Sequence, residues 1–271
     1  MKKLKIAIGK LHFWVNQDGY ESYWDLVNQG KWEPETFSVF DKYINYQTLF
    51  IDIGGWIGPT SLYGAQLAKK TLSLEPDPIA FKRLKQNVGL NLDKLPQNKL
   101  NLLNLALWST ETNIIFTSDI KLGDSSSSIL RETRDINQIN FKTKSFKADT
   151  IKLESLLKLI NIEDYNNIFV KIDIEGAEYQ LFDFLLGKLS EIKANILVSL
   201  HPWLLQKDSR KGFIRRLKQS LDHWRFCQKL KKHNFKLLTS KNKLPYIPEV
   251  NSIGWFLIGK MHQDILAVPR R

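Results

Sequence analysis

The sequence predicts an α/β fold in which a doubly wound, mostly parallel β-sheet carries helices on both faces. Short apolar runs of strand length recur from residue 48 onward, which is typical of strands buried on both faces. Segments with helical spacing separate these runs, and glycine or proline marks most boundaries. Strands and helices that alternate at this spacing form right-handed crossovers, and these produce a parallel sheet.

The composition is that of an ordinary globular chain. With 271 residues, 43% hydrophobic and 25% charged, the chain is long enough for one large α/β domain with a substantial core. A single cysteine, Cys227, excludes an intrachain disulfide and fits a reducing compartment. The first residues lack the apolar run of a signal peptide, and no stretch approaches the roughly 18 apolar residues of a transmembrane helix. We therefore expect a cytoplasmic protein without a transmembrane segment.

The chain divides into an N-terminal cap, residues 1–46, and one larger domain, residues 47–271. The cap is rich in aromatic residues and has no long, clean period, so we expect short strands and then a helix that opens near Pro34. Within the larger domain, residues 110–148 are polar, contain a serine run and interrupt the alternation. A long polar insertion of this kind predicts an inserted hairpin or lid.

The larger domain begins with a strand at 48–53, and Pro59 then opens a helix, since proline suits the first helical position. The remaining predicted elements are a strand at 72–75, a helix to residue 92, a strand at 100–107, a helix at 151–160, a strand at 168–174, a helix at 177–186, a strand at 192–200, and a closing antiparallel pair at 235–239 and 252–258.

The basic excess is concentrated in one segment. The net charge is +12, and residues 207–232 hold ten Lys or Arg against two Asp. A basic helix is either a solvated face or a patch that faces polyanions such as nucleic acid or anionic lipid. We expect no nucleic-acid partner and only weak contact with anionic surfaces.

A glycine-rich turn follows the first strand, in the segment Asp52-Ile-Gly54-Gly55-Trp56-Ile-Gly58. Glycines between a strand and a helix let the backbone approach a ligand closely, although a tight turn needs glycine anyway. A dinucleotide fingerprint requires G-x-G-x-x-G, and this chain has Trp56 where the second glycine belongs. The turn therefore disfavours NAD as the ligand.

Two sets of carboxylates follow later strands. Glu75 ends the second strand, where an acid accepts hydrogen bonds from the two hydroxyls of a ribose. Asp173, Glu175 and Glu178 cluster where the strand at 168–174 meets the next helix. Acids at a helix N-terminus can simply complement its dipole. Carboxyl ends of parallel strands also form the ligand crevice of such folds, so Asp173 is a candidate for function.

Three motifs together resemble the FkbM family of methyltransferases. They are Phe-Ile-Asp-Ile-Gly-Gly-Trp-Ile-Gly at 50–58, Leu-Glu-Pro-Asp-Pro at 74–78 and Val-Lys-Ile-Asp-Ile-Glu-Gly-Ala-Glu at 170–178. The resemblance covers roughly residues 48–200. It implies a class I methyltransferase fold, a Rossmann-like, doubly wound and mostly parallel seven-stranded sheet. It also implies S-adenosylmethionine as donor and O-methylation of a hydroxyl on a sugar, glycan or related small acceptor.

Mapped by motif, the resemblance implies a cofactor-binding set of Asp52, Gly54, Gly55, Gly58, Glu75 and Asn87. Within it, Asp52, Gly54 and Gly58 belong to the methionine end of the cofactor, and Glu75 belongs to the ribose. The chain departs from the family at Trp56, where a small polar residue is usual. It departs again at Ser199, where an acid is frequent.

An alcohol is a weak nucleophile near neutral pH, so a general base assists its methylation. His201 follows the fifth strand and should face the crevice, and Asp173 is the other candidate. We expect no metal, although a divalent cation on Asp173 and Glu175 is an alternative way to lower the hydroxyl pKa.

Two other functions stay open at this stage. One is an RNA or protein methyltransferase that uses the basic 207–232 helix as a phosphate-binding surface. The other is a non-catalytic nucleotide-binding protein on the same fold, because a fold does not fix a function. The sequence leaves the oligomeric state undetermined.

Overall fold

The computed structural model describes residues 1–96, 98–118, 123, 144–174, 177–201, 213–241, 244–258 and 264–270. The strands are β1 (Lys3–Ile8), β2 (Leu11–Asn16), β3 (Thr48–Ile53), β4 (Lys70–Leu74), β5 (Leu100–Leu103), β6 (Ala106–Leu107), β7 (Asn113–Ser118), β8 (Lys144–Ile151), β9 (Asn167–Ile172), β10 (Asn195–Ser199), β11 (Phe235–Thr239) and β12 (Asp264–Pro269). The helices are α1 (Glu21–Asn28), α2 (Pro34–Tyr43), α3 (Pro59–Leu67), α4 (Pro78–Gly89), α5 (Leu153–Leu157), α6 (Glu178–Glu191), α7 (Phe213–Lys232) and α8 (Pro248–Ile258).

A seven-stranded sheet in the order β11-β12-β10-β9-β3-β4-β5 forms the centre of the fold. The pairs β10–β9, β9–β3, β3–β4 and β4–β5 are parallel, whereas β12 runs antiparallel to both of its neighbours. The predicted doubly wound, mostly parallel α/β sheet of the class I methyltransferase type is thus confirmed.

Both faces of the sheet are buried, as the all-apolar strands predict. Leu49, Ile51 and Ile53 of β3 lie in a core that includes residues of α5 and α6. Phe50, between them, points to the opposite core, which includes residues of α2 and α3. Alternate residues of one strand therefore fill two separate apolar layers, because successive side chains of a strand point to opposite faces.

The N-terminal residues pack on the second of these cores. β1 and β2 pair as an antiparallel hairpin, and α1 and α2 follow. Trp24 and Phe40 are fully buried, and the Phe40 ring lies 5.0 Å from the Phe50 ring, centroid to centroid. Trp24 and Phe40 are therefore structural. The boundary of a separate cap at residue 46 stays a prediction.

Two predicted elements differ in the structure. The prediction of a strand at 252–258 is wrong. These residues belong to α8, which begins at Pro248 and carries Glu249 in its first turn. The closing strand is instead β12, which pairs antiparallel with both β10 and β11. The strand predicted at 100–107 is broken in two, because β5 joins the main sheet and β6 pairs with β8.

Within the polar insertion at 110–148, β7 and β8 pair antiparallel. Residues 119–122 and 124–143 lie outside the described part of the chain, so the lid function stays a prediction. In the part of the chain that the structure describes, no helix is both long enough and apolar enough to cross a membrane.

Candidate active site

A crevice of about 260 Å³ opens at the carboxyl edge of the sheet. The turn after β3, the residue after β4, the ends of β9 and β10 and the segment 105–108 after β5 all contribute to its wall. Because these strands are parallel, their carboxyl ends meet at one edge, where ligands of doubly wound folds bind. Of the predicted residues, Gly54, Gly55, Glu75, Asp173 and His201 line the crevice.

Gly54 and Gly55 are required in the turn because neighbouring atoms leave no room for a side chain. Gly54 has φ +87°, a left-handed conformation that favours glycine, and its amide and that of Gly55 both donate to Leu74 O at 3.0 Å. A Cβ at Gly54 would collide with the carbonyl oxygen of Asp173, and one at Gly55 with Ser73 Oγ. The turn is therefore held tightly between β4 and the end of β9.

The other three residues of the predicted cofactor set lie behind the crevice wall. Asp52 is buried, and its Oδ2 accepts from Thr60 Oγ1 at 2.8 Å and from Ser61 Oγ at 2.5 Å. Burial raises the pKa of Asp52. Gly58 packs against α4, where an added Cβ would lie 2.8 Å from Leu84 Cδ1. Neither residue is part of the described crevice lining.

Asn87 is fully buried and connects three parts of the chain. Its Oδ1 accepts from the amide of Asn16 at 2.8 Å, and its Nδ2 donates to Ile57 O at 2.8 Å. Asn87 therefore fastens the glycine turn to β2, and it too lies outside the described lining of the crevice. The sequence predicts direct cofactor contact here, whereas the geometry supports an indirect role through the turn.

Glu75 lines the crevice, with its carboxylate anchored by backbone amides. Its Oε2 accepts from the amide of Trp56 at 2.8 Å, and its Oε1 accepts from the amide of Asp77 at 2.8 Å. Burial raises the pKa of Glu75 to about 8, although these two hydrogen bonds oppose the rise. Each carboxylate oxygen has a second acceptor direction, so Glu75 can still accept from two hydroxyls.

His201 meets two carboxylates beside the crevice. Its Nδ1 lies 2.9 Å from Glu178 Oε1, and its Nε2 lies 3.7 Å from Asp173 Oδ1. Glu178 is the first residue of α6 and is fully buried. A buried acid that accepts a hydrogen bond from Nδ1 fixes the orientation of the ring. Nε2 is then the nitrogen that can take up or release a proton. The residues predicted to act together, Asp173 and His201, are thus brought together.

The same three side chains could also hold a divalent cation. One ligand atom from each of Asp173, Glu178 and His201 lies within 4.8 Å of the other two. Mixed carboxylate and imidazole ligands suit several divalent metals. Glu175, the other acid considered for a metal, lies outside the described residues.

A buried lysine balances the charge of Asp173. Lys171 Nζ lies 3.1 Å from Asp173 Oδ2, and both residues line the crevice. Burial disfavours the charge of Asp173, but Lys171 and His201 outweigh burial and hold its pKa below the ordinary value. Burial likewise opposes the charge of Lys171, while Asp173, Asp52 and Glu33 raise its pKa.

The N-terminal region completes the crevice with Tyr23, Trp32 and Glu33. Glu33 has φ +40°, a strained conformation for a residue other than glycine, and it directly precedes α2. Burial, together with the negative charge of the nearby Asp173, raises the pKa of Glu33 to about 7. The Trp56 ring stacks edge-on against Tyr23, and its indole N–H donates to Gly123 O at 3.0 Å.

Sequence reasoning missed Glu33, Lys171 and Glu178 as parts of this site. Lys171 and Glu178 stand inside the motif at 170–178, but a strand lysine and a first-turn acid have ordinary structural explanations. Their signal was the density of charge within and directly after an otherwise apolar strand. Glu33 carried no comparable signal, because its approach to β9 depends on how the N-terminal residues fold back onto the sheet.

Comparison with known proteins assigns the family. A family model described as a methyltransferase FkbM domain matches residues 52–237. No curated protein matches the sequence. Among solved structures, the methyltransferase FkbM from Methylobacillus flagellatus is 13% identical with a TM-score of 0.46, and the match covers 90% of this chain and 52% of that one. This chain therefore spans about half the length of that structure.

Two further structures show the breadth of the similarity. A putative methyltransferase from Streptococcus mutans in complex with SAH is 9% identical with a TM-score of 0.40, covering 86% of this chain and 96% of that one. An rRNA methylase from Streptococcus thermophilus is 9% identical with a TM-score of 0.34, covering 61% and 68%. Because the family model spans more than half of the sequence, the chain belongs to the FkbM family of S-adenosylmethionine-dependent methyltransferases.

Proposed function

We propose that this chain methylates a hydroxyl group of a sugar, glycan or related small molecule, with S-adenosylmethionine as donor. The observation that carries the proposal is His201, whose Nδ1 lies 2.9 Å from the buried Glu178 while the ring lines the crevice. An alcohol must lose its proton as it attacks, and an imidazole oriented by a carboxylate is suited to accept that proton.

The residues of the crevice fit the donor. When bound, S-adenosylmethionine supplies an electrophilic methyl group on a sulfonium. Glu75 would hold the ribose hydroxyls, the apolar segment 105–107 would pack on the adenine, and the turn at Gly54 and Gly55 would receive the methionine part. Asp52 and Asn87 would act behind this surface, because their hydrogen bonds stabilise the turn and the start of α3.

His201 supplies the base in this proposal. Its Nε2 takes the proton of the acceptor hydroxyl, and Nδ1 keeps its proton in the hydrogen bond to Glu178. The charge of Glu178 then stabilises the imidazolium that forms. Asp173, 3.7 Å from Nε2, is close enough to orient either His201 or the acceptor. Lys171 holds Asp173 ionised and prevents it from competing for the proton.

The remaining walls of the crevice suit a polyhydroxylated acceptor better than a nucleic acid. Tyr23, Trp32 and Trp108 provide flat apolar surfaces, and Glu33 and Asp173 provide acceptors for hydroxyl protons. Carboxyl oxygens accept hydrogen bonds from hydroxyls, whereas a phosphate diester offers only acceptors. These acceptors therefore favour a glycan or small molecule over RNA.

The test is transfer of an isotopically labelled methyl group to sugar nucleotides, cell-envelope glycan extracts, RNA and protein. We expect label in a carbohydrate product that survives mild alkali, since an ether resists hydrolysis and a carboxyl methyl ester does not. Label in RNA or protein instead would contradict the proposal. Binding of S-adenosylhomocysteine with no transfer to any fraction would favour the non-catalytic alternative.

A chelator distinguishes the base from a metal. We expect full activity in the presence of a chelator, because His201, oriented by Glu178, needs no cation to accept a proton. Activity that is lost on chelation and restored by Mg²⁺ would shift the roles of Asp173, Glu178 and His201 to metal binding.

A further inference from the structure

α7 presents a row of large apolar side chains to solvent. Ile214, Leu217, Leu221 and Trp224 are each at least 40% exposed. They are three or four residues apart, so they lie on one face of the helix, away from the buried Phe226, Cys227 and Leu230. An amphipathic helix with a single role in a core would carry polar residues on that outer face.

α8, which packs against α7, carries a second exposed apolar row. Val250, Ile253 and Leu257 are spaced by three and four residues, and each is more than half exposed. α8 packs against α7, where Trp255 Nε1 donates to Gln219 Oε1 at 3.1 Å. We call these two exposed rows the α7–α8 face. Exposed apolar side chains that group together mark an interaction site more often than single scattered ones do.

A band of basic residues borders the row on α7. Lys218, Arg225, Lys229 and Lys232 are seven, four and three residues apart and are all exposed, so they follow one side of the helix. α7 as a whole holds seven Lys or Arg and one Asp. Long basic side chains beside an apolar row can keep their charged ends in a polar layer while their stems lie on apolar surface.

α8 is joined in sequence to strands that end at the edge of the sheet that carries the crevice. β11 ends at Thr239, which pairs with Ile265, and β12 begins at Asp264, which pairs with Ser199. Both strand ends therefore lie at the carboxyl edge of the sheet. α8 lies within the segment that leaves and rejoins the sheet there. α7 likewise begins on the chain that continues from His201.

We propose that the α7–α8 face binds the surface of an anionic lipid bilayer. Apolar side chains that enter the interface, with lysine and arginine beside them, are the features of helices that lie in the plane of a membrane. Anionic headgroups complement the basic band, and the acyl region accepts Leu217, Leu221 and Trp224. RNA would be complementary to the charges alone, and a second copy of this chain would bring the same positive charge.

The proposal is independent of the acceptor, since binding to lipid can be measured without any methyl transfer. For the proposed function, binding of this face to a membrane would bring the crevice closer to acceptors carried on that membrane.

The test is co-sedimentation of the full chain with vesicles of phosphatidylcholine containing phosphatidylglycerol. We expect binding that rises with the phosphatidylglycerol fraction and falls with salt. The variant Leu217→Gln/Leu221→Gln should weaken the partition by about tenfold or more, because two half-exposed leucines no longer leave water. The variant Lys218→Gln/Lys232→Gln should weaken it by about fivefold per lysine on anionic vesicles only.

The matched control is Leu92→Gln/Leu159→Gln, which removes two exposed leucines from other surfaces and should leave the partition unchanged. Thermal unfolding of each variant checks that the fold is intact. Absence of wild-type binding, or equal loss in the control, would overturn the proposal. It would also be overturned by a dimer that only the Leu217/Leu221 variant dissociates, without lipid binding. Preferential binding of RNA over vesicles in a competition assay would also overturn the proposal.

Discussion

Replacement of Glu75 by alanine should weaken cofactor binding and change the pH dependence of stability. The carboxylate lies on the crevice wall, and each oxygen retains one acceptor direction beyond its backbone amide. Each hydrogen bond from a ribose hydroxyl to this carboxyl group contributes about 0.5–1.5 kcal/mol, so loss of two costs about 1–3 kcal/mol. The Kd for S-adenosylhomocysteine should therefore rise about 5- to 150-fold.

The same substitution has two opposing effects on folding. The amides of Trp56 and Asp77 lose their acceptor, which costs about 1–3 kcal/mol for each group that stays buried. Against this, burial raises the pKa of Glu75 from 4.5 to about 8, so the folded state keeps a proton that the unfolded state has lost. Wild-type stability therefore falls as pH rises through that window, by about 3 kcal/mol at pH 7.

Calorimetric titration and denaturant unfolding at pH 4.5 and pH 7 measure both effects. We expect Glu75→Ala to be clearly less stable than the wild type at pH 4.5, with a smaller difference at pH 7. Glu163→Ala, at an exposed acid, is the matched control and should change neither quantity. Unchanged cofactor affinity in a folded Glu75→Ala variant would remove Glu75 from the binding site.

Three further predictions follow from the site. Glu178→Gln replaces a charged partner of His201 by a neutral one, so kcat should fall about 5- to 30-fold through loss of about 1–2 kcal/mol. The double variant with His201→Ala should be no slower than His201→Ala alone, and additive losses in steady-state kinetics would refute the pairing. Burial raises the pKa of Glu33 to about 7, so its ionisation destabilises the fold as pH rises from 4.5. Glu33→Gln should therefore gain about 3 kcal/mol over the wild type above pH 7 and nothing below pH 4.5, and parallel pH profiles in urea unfolding would contradict this. Finally, calorimetry should detect S-adenosylhomocysteine but not NAD, because Trp56 replaces the second glycine of the dinucleotide fingerprint; tighter binding of NAD would be the opposite result.

The central sheet was predictable because its signal is local. Thr48–Ile53 is buried at all six positions, and Pro59 begins α3, as a short apolar run and a following proline indicate. The run 252–258 misled the prediction because it contains no charged residue and only one polar side chain, Ser252. Periodicity cannot distinguish a buried strand from a helix in so short a run.

The site was predictable only where a residue follows a strand of the sheet. Asp173 and His201 end neighbouring parallel strands, so their meeting follows from topology. Glu33 and Asn87 depend on contacts with distant parts of the chain, and no local pattern reports these. Asn87 bonds to Asn16, 71 residues away, and this contact holds it behind the glycine turn, so its predicted role in cofactor binding stays a prediction.

The most direct test of the account is the rate of methyl transfer by His201→Ala with an identified hydroxyl acceptor. We expect kcat to fall about 10²- to 10⁴-fold, the usual contribution of a general base, while the Kd for S-adenosylhomocysteine stays unchanged. His12→Ala, which changes a histidine outside the described crevice lining, is the matched control and should keep full activity. Wild-type kcat in the His201→Ala variant would contradict the claim that this crevice deprotonates an alcohol through His201.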